Sequence, residues 1–140
     1  VGLGSCIGTI IYDEKSKIGG LSHIMLPDSK PFAAKSDVNP AKFADTAIPL
    51  MYQQLKRKVP NGRFKAKVVG GANMFSFKSA TSGTGNIGQR NAEAVMEVLK
   101  ELRIPVVSSH TGGNSGRTMI VDLNDFTCMV RIVHQDVIYI

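Results

Sequence analysis

A chain of 140 residues, 43% hydrophobic and 20% charged, has the size and composition of one folded domain rather than of a disordered or fibrous chain. No apolar run approaches the length that spans a bilayer, and the first residues lack the basic, apolar and small-residue regions of a signal peptide, so neither membrane insertion nor export is expected. The net charge of +6 admits an acidic partner, but the cations are scattered apart from Lys56-Arg57-Lys58 with Arg63, Lys65 and Lys67, and six Phe, three Tyr and no Trp supply no aromatic RNA-binding strand.

The chain opens without an initiator Met, directly on Gly2-Leu3-Gly4-Ser5-Cys6, so a preceding N-terminal strand is expected to be missing. Ile7 to Tyr12 is apolar and β-branched and predicts a buried strand. Asp13 to Lys17 is a charged turn, and Leu21 to Leu26 predicts a second strand paired back on the first. Its period of two sets Leu21, His23 and Met25 on one face, with Ser22, Ile24 and Leu26 on the other.

Asn39-Pro40 reads as a helix start, followed by the apolar stripe Phe43, Ala47, Ile48, Met51 and Leu55; Pro49 inside that stripe predicts a kink or a weakened turn. Phe64, Ala66 and Val68 alternate with Lys65, Lys67 and Val69, the pattern of a half-buried strand stopped by Gly70-Gly71. Ser76 to Gly85 is polar and Gly-rich and is expected to be a mobile loop. Val95, Val98, Leu99 and Leu102 mark a second helix, Ile104 to Ser108 a strand, and Met119 to Leu123 with Phe126 to Val133 a hairpin turning at Asn124-Asp125. Val137 to Ile140 adds a last short strand. Strands outnumber helices and several neighbours form hairpins, which predicts an α+β fold in a single domain over residues 1–140, with no repeat or linker to divide it.

Two residues carry the candidate chemistry. Cys6 sits among glycines just ahead of a strand, where the backbone turns sharply and a neighbouring peptide N–H is available to an oxyanion. His23 occupies a position in an apolar strand where Leu or Val would be ordinary. Paired strands bring the start of the first near the middle or end of the second, so the thiol and imidazole are expected to meet across the ladder as a nucleophile and its proton carrier. The ordinary structural alternatives are a small buried cysteine at a strand start and a core histidine satisfied by a backbone carbonyl. Cys128 falls on the alternating strand Phe126, Cys128, Val130, Ile132 and reads as core; His110 and His134 have no metal-like spacing with either cysteine, so no metal site is expected. Gly112-Gly113-Asn114-Ser115-Gly116-Arg117 lacks the Walker Lys-Ser/Thr and precedes a strand, which argues against a nucleotide loop. Two cysteines without export signals predict reduced thiols and a cytoplasmic setting. Met74, Phe75 and Phe77 beside Lys78 are read as an apolar docking patch for a partner helix, the alternative being that Phe75 or Phe77 plugs a sheet end.

Six blocks, GLGSC (2–6), LSHIMLPDS (21–29), NPAKFADTA (39–47), GGANMF (70–75), NIGQRN (86–91) and TGGNSGRT (111–118), with Cys and His seventeen positions apart, together resemble the bacterial chemoreceptor glutamine deamidase family, CheD. The resemblance implies a sandwich of mixed, largely antiparallel β-sheets flanked by two main helices, similar to the fold of deamidating toxins. It implies hydrolysis of selected glutamines on methyl-accepting chemoreceptors, with Cys6 as nucleophile and His23 as general acid/base, without a cofactor. It also implies a CheC-type phosphatase as regulatory partner. The family's third active-site member is a threonine at a position that here precedes Val1, and Ser5 is not promoted in its place. Relatives often carry an acidic pair where this chain has Ser109-His110. The rival readings are a non-catalytic adaptor that binds receptors and the phosphatase, and a basic nucleic-acid-binding domain with strongly salt-dependent affinity.

Overall fold

The structure, a computed structural model, describes residues 2–32, 34, 38–73 and 86–140; the loop expected from Ser76 to Gly85 lies outside them. In chain order the strands are β1 (Gly2–Leu3), β2 (Ile7–Asp13) and β3 (Ile18–Ile24), then helix α1 (Ala44–Lys58), β4 (Lys65–Gly70) and helix α2 (Ile87–Glu101). The remaining strands are β5 (Val106–Thr111), β6 (Arg117–Val121), β7 (Cys128–Ile132) and β8 (Val137–Tyr139). They form two four-stranded sheets, one mixed in the order β3-β2-β4-β5 and one antiparallel in the order β1-β6-β7-β8. The α+β sandwich expected from the sequence is therefore the fold observed.

The pleat assigns each face of the mixed sheet to a different layer. Ile7 and Ile11 of β2, Ile24 of β3 and Ala66 and Val68 of β4 point toward α1 and α2, joining Ile48, Leu55, Val95 and Leu99 in one core. Ile10, Tyr12 and Val69 point the other way, onto Leu3, Met119, Phe126, Cys128 and Val130 of the second sheet. Tyr12 and Phe126 stack across this second interface with ring centroids 4.5 Å apart. The order is sheet, sheet, helices, with the mixed sheet in the middle.

That central position explains where the observed strands depart from the sequence expectations. β4 is buried along nearly its whole length rather than half-buried, because both of its faces meet a layer. Lys67, expected on a solvated face, is 8% exposed, and its ammonium donates to the Phe126 and Ile140 carbonyls at 2.8 Å each. β3 begins three residues before the expected start, at Ile18: Gly20 pairs with Ile11 in the ladder, and a Cβ there would lie 2.8 Å from the Met51 sulfur of α1. It ends earlier than expected because the Met25 and Leu26 N–H groups leave the ladder and donate to the Lys42 carbonyl. Asn39 does cap a turn, but a short 3₁₀ turn, Pro40–Lys42, ahead of α1. α1 runs helical through Pro49.

Candidate active site

The β2–β3 hairpin determines how Cys6 and His23 face each other. In its ladder Ile7 lies opposite Ile24 and Gly8 opposite His23. Directly opposed residues share a face, so His23 projects to the same side as Gly8, the side turned to the second sheet. Cys6 immediately precedes the strand and packs against the core between the sheets. Both side chains therefore lie on one side of the hairpin.

The backbone around Cys6 is held from within. The Gly4 carbonyl accepts from the Ala72 N–H at 2.9 Å, the Ser5 carbonyl from the Asn91 side-chain amide at 3.1 Å, and the Cys6 carbonyl from the Gly71 N–H at 2.9 Å. Three consecutive carbonyls are thus drawn toward the C-terminal end of β4 and the first half of α2. Close approach at this point requires Gly70: its φ is +119°, and a Cβ on it would collide with the Cys6 carbonyl oxygen. The sequence marks Gly70-Gly71 only as the end of a strand; their larger role is to let β4 close against the cysteine turn.

Burial pushes the Cys6 thiol above its ordinary range, which favours the protonated sulfur. Nε2 of His23 is buried and lacks a hydrogen-bond partner, in contrast to a core histidine satisfied by a backbone carbonyl. His23 also lines a groove of about 500 Å³ between the open edge of β3 and α1. Leu21, Met25 and Leu50 along this groove are exposed apolar residues. Among the described residues Cys6 does not line it, so the groove leads to the histidine side of the pair.

The other sequence candidates fall elsewhere. Cys128 is fully buried in β7, as its alternation predicts. His110 lies in β5 beside Val69, and its Nδ1 is 2.8 Å from the Arg117 guanidinium. Burial, and then the Arg117 charge, hold the His110 imidazole below its ordinary range, so it is neutral there. Arg117 also donates to the carbonyls of His110, Gly112 and Ser115, which makes the TGGNSGR segment a loop wrapped around a buried guanidinium. Phe75 and Phe77, with the docking patch assigned to them, lie outside the described residues. Among the described residues no cluster of three or more His, Cys, Asp or Glu is placed to hold a metal ion. No helix is long and apolar enough to cross a membrane, among the same residues.

Sequence reasoning assigned no role to Asn91. It is fully buried on α2, and its amide reaches both the cysteine turn and the Met25 carbonyl at the end of the histidine strand. Its signal in the sequence is a polar residue four positions before Val95 and eight before Leu99, on the apolar stripe of the helix.

Comparison with known proteins places this chain in a family. Residues 25–132 match the family described as CheD chemotactic sensory transduction, a match that begins just past His23. The chain is similar to the probable chemoreceptor glutamine deamidase CheD of Clostridium botulinum (strain Eklund 17B), at 52% identity over 95% of this chain and 81% of the relative. It is similar at 51% identity to the protein of that name from Clostridium acetobutylicum, over 95% of this chain and 79% of the relative. The corresponding protein of Moorella thermoacetica is 48% identical over the same shares of the two chains.

Proposed function

The chain belongs to the CheD family, and on that premise we propose that it is a cysteine-dependent protein-glutamine deamidase. Its substrates are glutamine side chains of methyl-accepting chemoreceptors. The observation that supports the reading is that Cys6 and His23, whose Nε2 is buried without a hydrogen-bond partner, fall on one side of the β2–β3 hairpin.

The reaction is acyl transfer. His23 takes the Cys6 proton as the sulfur attacks the carboxamide carbon, and the C=O electron pair moves onto oxygen. Peptide planarity favours a donor for that oxyanion. The Ser5 carbonyl is turned inward to Asn91, so the N–H of the same trans peptide, that of Cys6, is turned outward. Collapse of the tetrahedral species expels ammonia, which takes its proton from His23 and leaves a thioester. Water, deprotonated by His23, attacks the thioester carbon; the C–S bond breaks, the receptor residue is now glutamate, and the thiol recovers its proton. No step requires an electron acceptor or a metal.

The exposed apolar groove beside His23 suits the apolar side of a receptor helix, whose residues recur at i, i+3 and i+4. A CheC-type phosphatase is the regulatory partner in this reading, competing with receptors for the same face. We assign the protein to the cytoplasm, where the free thiols Cys6 and Cys128 stay reduced.

The test is ammonia release with the accompanying Gln-to-Glu mass gain on a receptor cytoplasmic fragment, with Cys6→Ala and Cys6→Ser run beside the wild type. Both variants should fold and be nearly inactive, the serine because its hydroxyl is scarcely ionised at neutral pH. Wild-type turnover by Cys6→Ala would remove the nucleophile assignment. Receptor binding without deamidation by the wild type would leave only an adaptor.

A further inference from the structure

We propose that Asn91 is the positioning residue of this site, a single buried amide that locks the cysteine turn to the histidine strand. The proposal rests on the amidohydrolase reading of Cys6 and His23. Asn91, Val95 and Leu99 form one stripe of α2 and all three are fully buried. Leu or Ala would be the ordinary residue at such a position, because asparagine is a poorer helix former and a buried amide is costly unless bonded.

The bonds it makes explain its presence. Nδ2 donates to the Ser5 carbonyl at 3.1 Å and to the Met25 carbonyl at 3.0 Å. One acceptor precedes the nucleophile by a single residue and the other follows the histidine by two. Both lie just past Ile7–Ile24, the last pair of the β2–β3 ladder, where strand pairing no longer holds the two segments together. Oδ1 has no partner, so the side chain is used here only through its two N–H bonds. By orienting the Ser5–Cys6 peptide, the amide sets the direction of the Cys6 N–H. By holding Met25, it sets the end of the strand from which His23 projects. Both hydrogen bonds of Asn91 go to backbone carbonyls, so it acts through the two backbones.

The experiment uses the intact chain with Asn91→Asp, which keeps the volume but faces two carbonyls with a carboxylate, and Asn91→Ser, which keeps one donor and is the milder change. Three readouts are taken: thermal melting, kcat and KM for deamidation of a receptor fragment, and the rate of Cys6 alkylation by iodoacetamide against pH. In wild type the imidazole assists loss of the thiol proton, so His23→Ala should alkylate more slowly at Cys6 than wild type. A folded Asn91→Ser protein should alkylate as slowly as His23→Ala does, and its kcat should fall about 100-fold with KM little changed, the scale of a small misplacement of reacting groups. A wild-type alkylation profile and kcat in folded Asn91→Ser would overturn the proposal, as would loss of the fold in both variants. The two readings fail separately. Full turnover by Cys6→Ala or His23→Ala removes the amidohydrolase assignment and this proposal with it, whereas inactive Cys6 and His23 variants beside a fully active Asn91→Ser remove the positioning role alone.

Discussion

Replacing Gly70 with alanine tests the cradle around the cysteine with the least chemistry changed. The residue sits at φ +119°, where a side chain is strained whatever the space around it. The added Cβ would collide with the Cys6 carbonyl oxygen and stand 3.2 Å from its carbonyl carbon and 3.3 Å from the Ile7 Cα. All of these are backbone atoms, so no side-chain rotation relieves the contact. Strain of this kind costs about 1–3 kcal/mol. Displacing the Cys6 carbonyl also weakens its 2.9 Å bond from the Gly71 N–H, a further ~1 kcal/mol. The sum, about 2–4 kcal/mol, corresponds to a melting temperature lowered by roughly 6–16 °C in a domain of this size. Deamidation should fall further than the lost folded fraction explains, because the residue pushed aside is the proposed nucleophile. The assay is calorimetric melting with ammonia release measured well below the transition. A Gly70→Ala protein that melts within about 2 °C of wild type with unchanged turnover would refute the claim that close backbone approach holds the site.

Three further outcomes follow from the same contacts. Native protein should alkylate at Cys6 well before Cys128, since Cys6 is partly accessible whereas Cys128 is fully buried; equal labelling by peptide mass mapping would contradict the site. The His110 imidazole is held below its ordinary range, so the unfolded chain takes up that proton first as pH falls. The stability it contributes is present above about pH 6.5 and is lost as pH drops through the lowered value. His110→Gln should therefore flatten the acid-side fall in melting temperature, and an unaltered slope would remove His110 from that role. Lys67→Met should destabilise by about 1.5–3 kcal/mol in urea unfolding, because the Phe126 and Ile140 carbonyls lose a charged donor inside the sandwich; a neutral effect would mean that water replaces it there.

The placement of the two candidate residues was legible because it is local. The β2–β3 hairpin joins strands that are neighbours in sequence across the turn at Asp13–Lys17, and period-two alternation puts His23 on a definite face. Once those strands pair, Cys6 and His23 share a side, with no knowledge of the remainder of the chain required. The helical stripes on α1 and α2 and the β6–β7 hairpin were readable for the same reason: each repeats within a few residues.

What had to await the tertiary structure depends on partners far along the chain. The two-residue strand Gly2–Leu3 has no periodicity of its own and exists because it pairs with Arg117 and Thr118. Lys67 looked solvated from its alternation, but its face of β4 is covered by the second sheet, which brings two carbonyls to its ammonium. Asn91 is 86 residues from Ser5 and 66 from Met25. Periodicity records which face of an element is turned inward; which backbone atoms wait there is decided only when the layers pack. The sequence by itself therefore determined a candidate pair, Cys6 and His23, and the packing of α2 against the ends of β2 and β3 decided what holds their two backbones together.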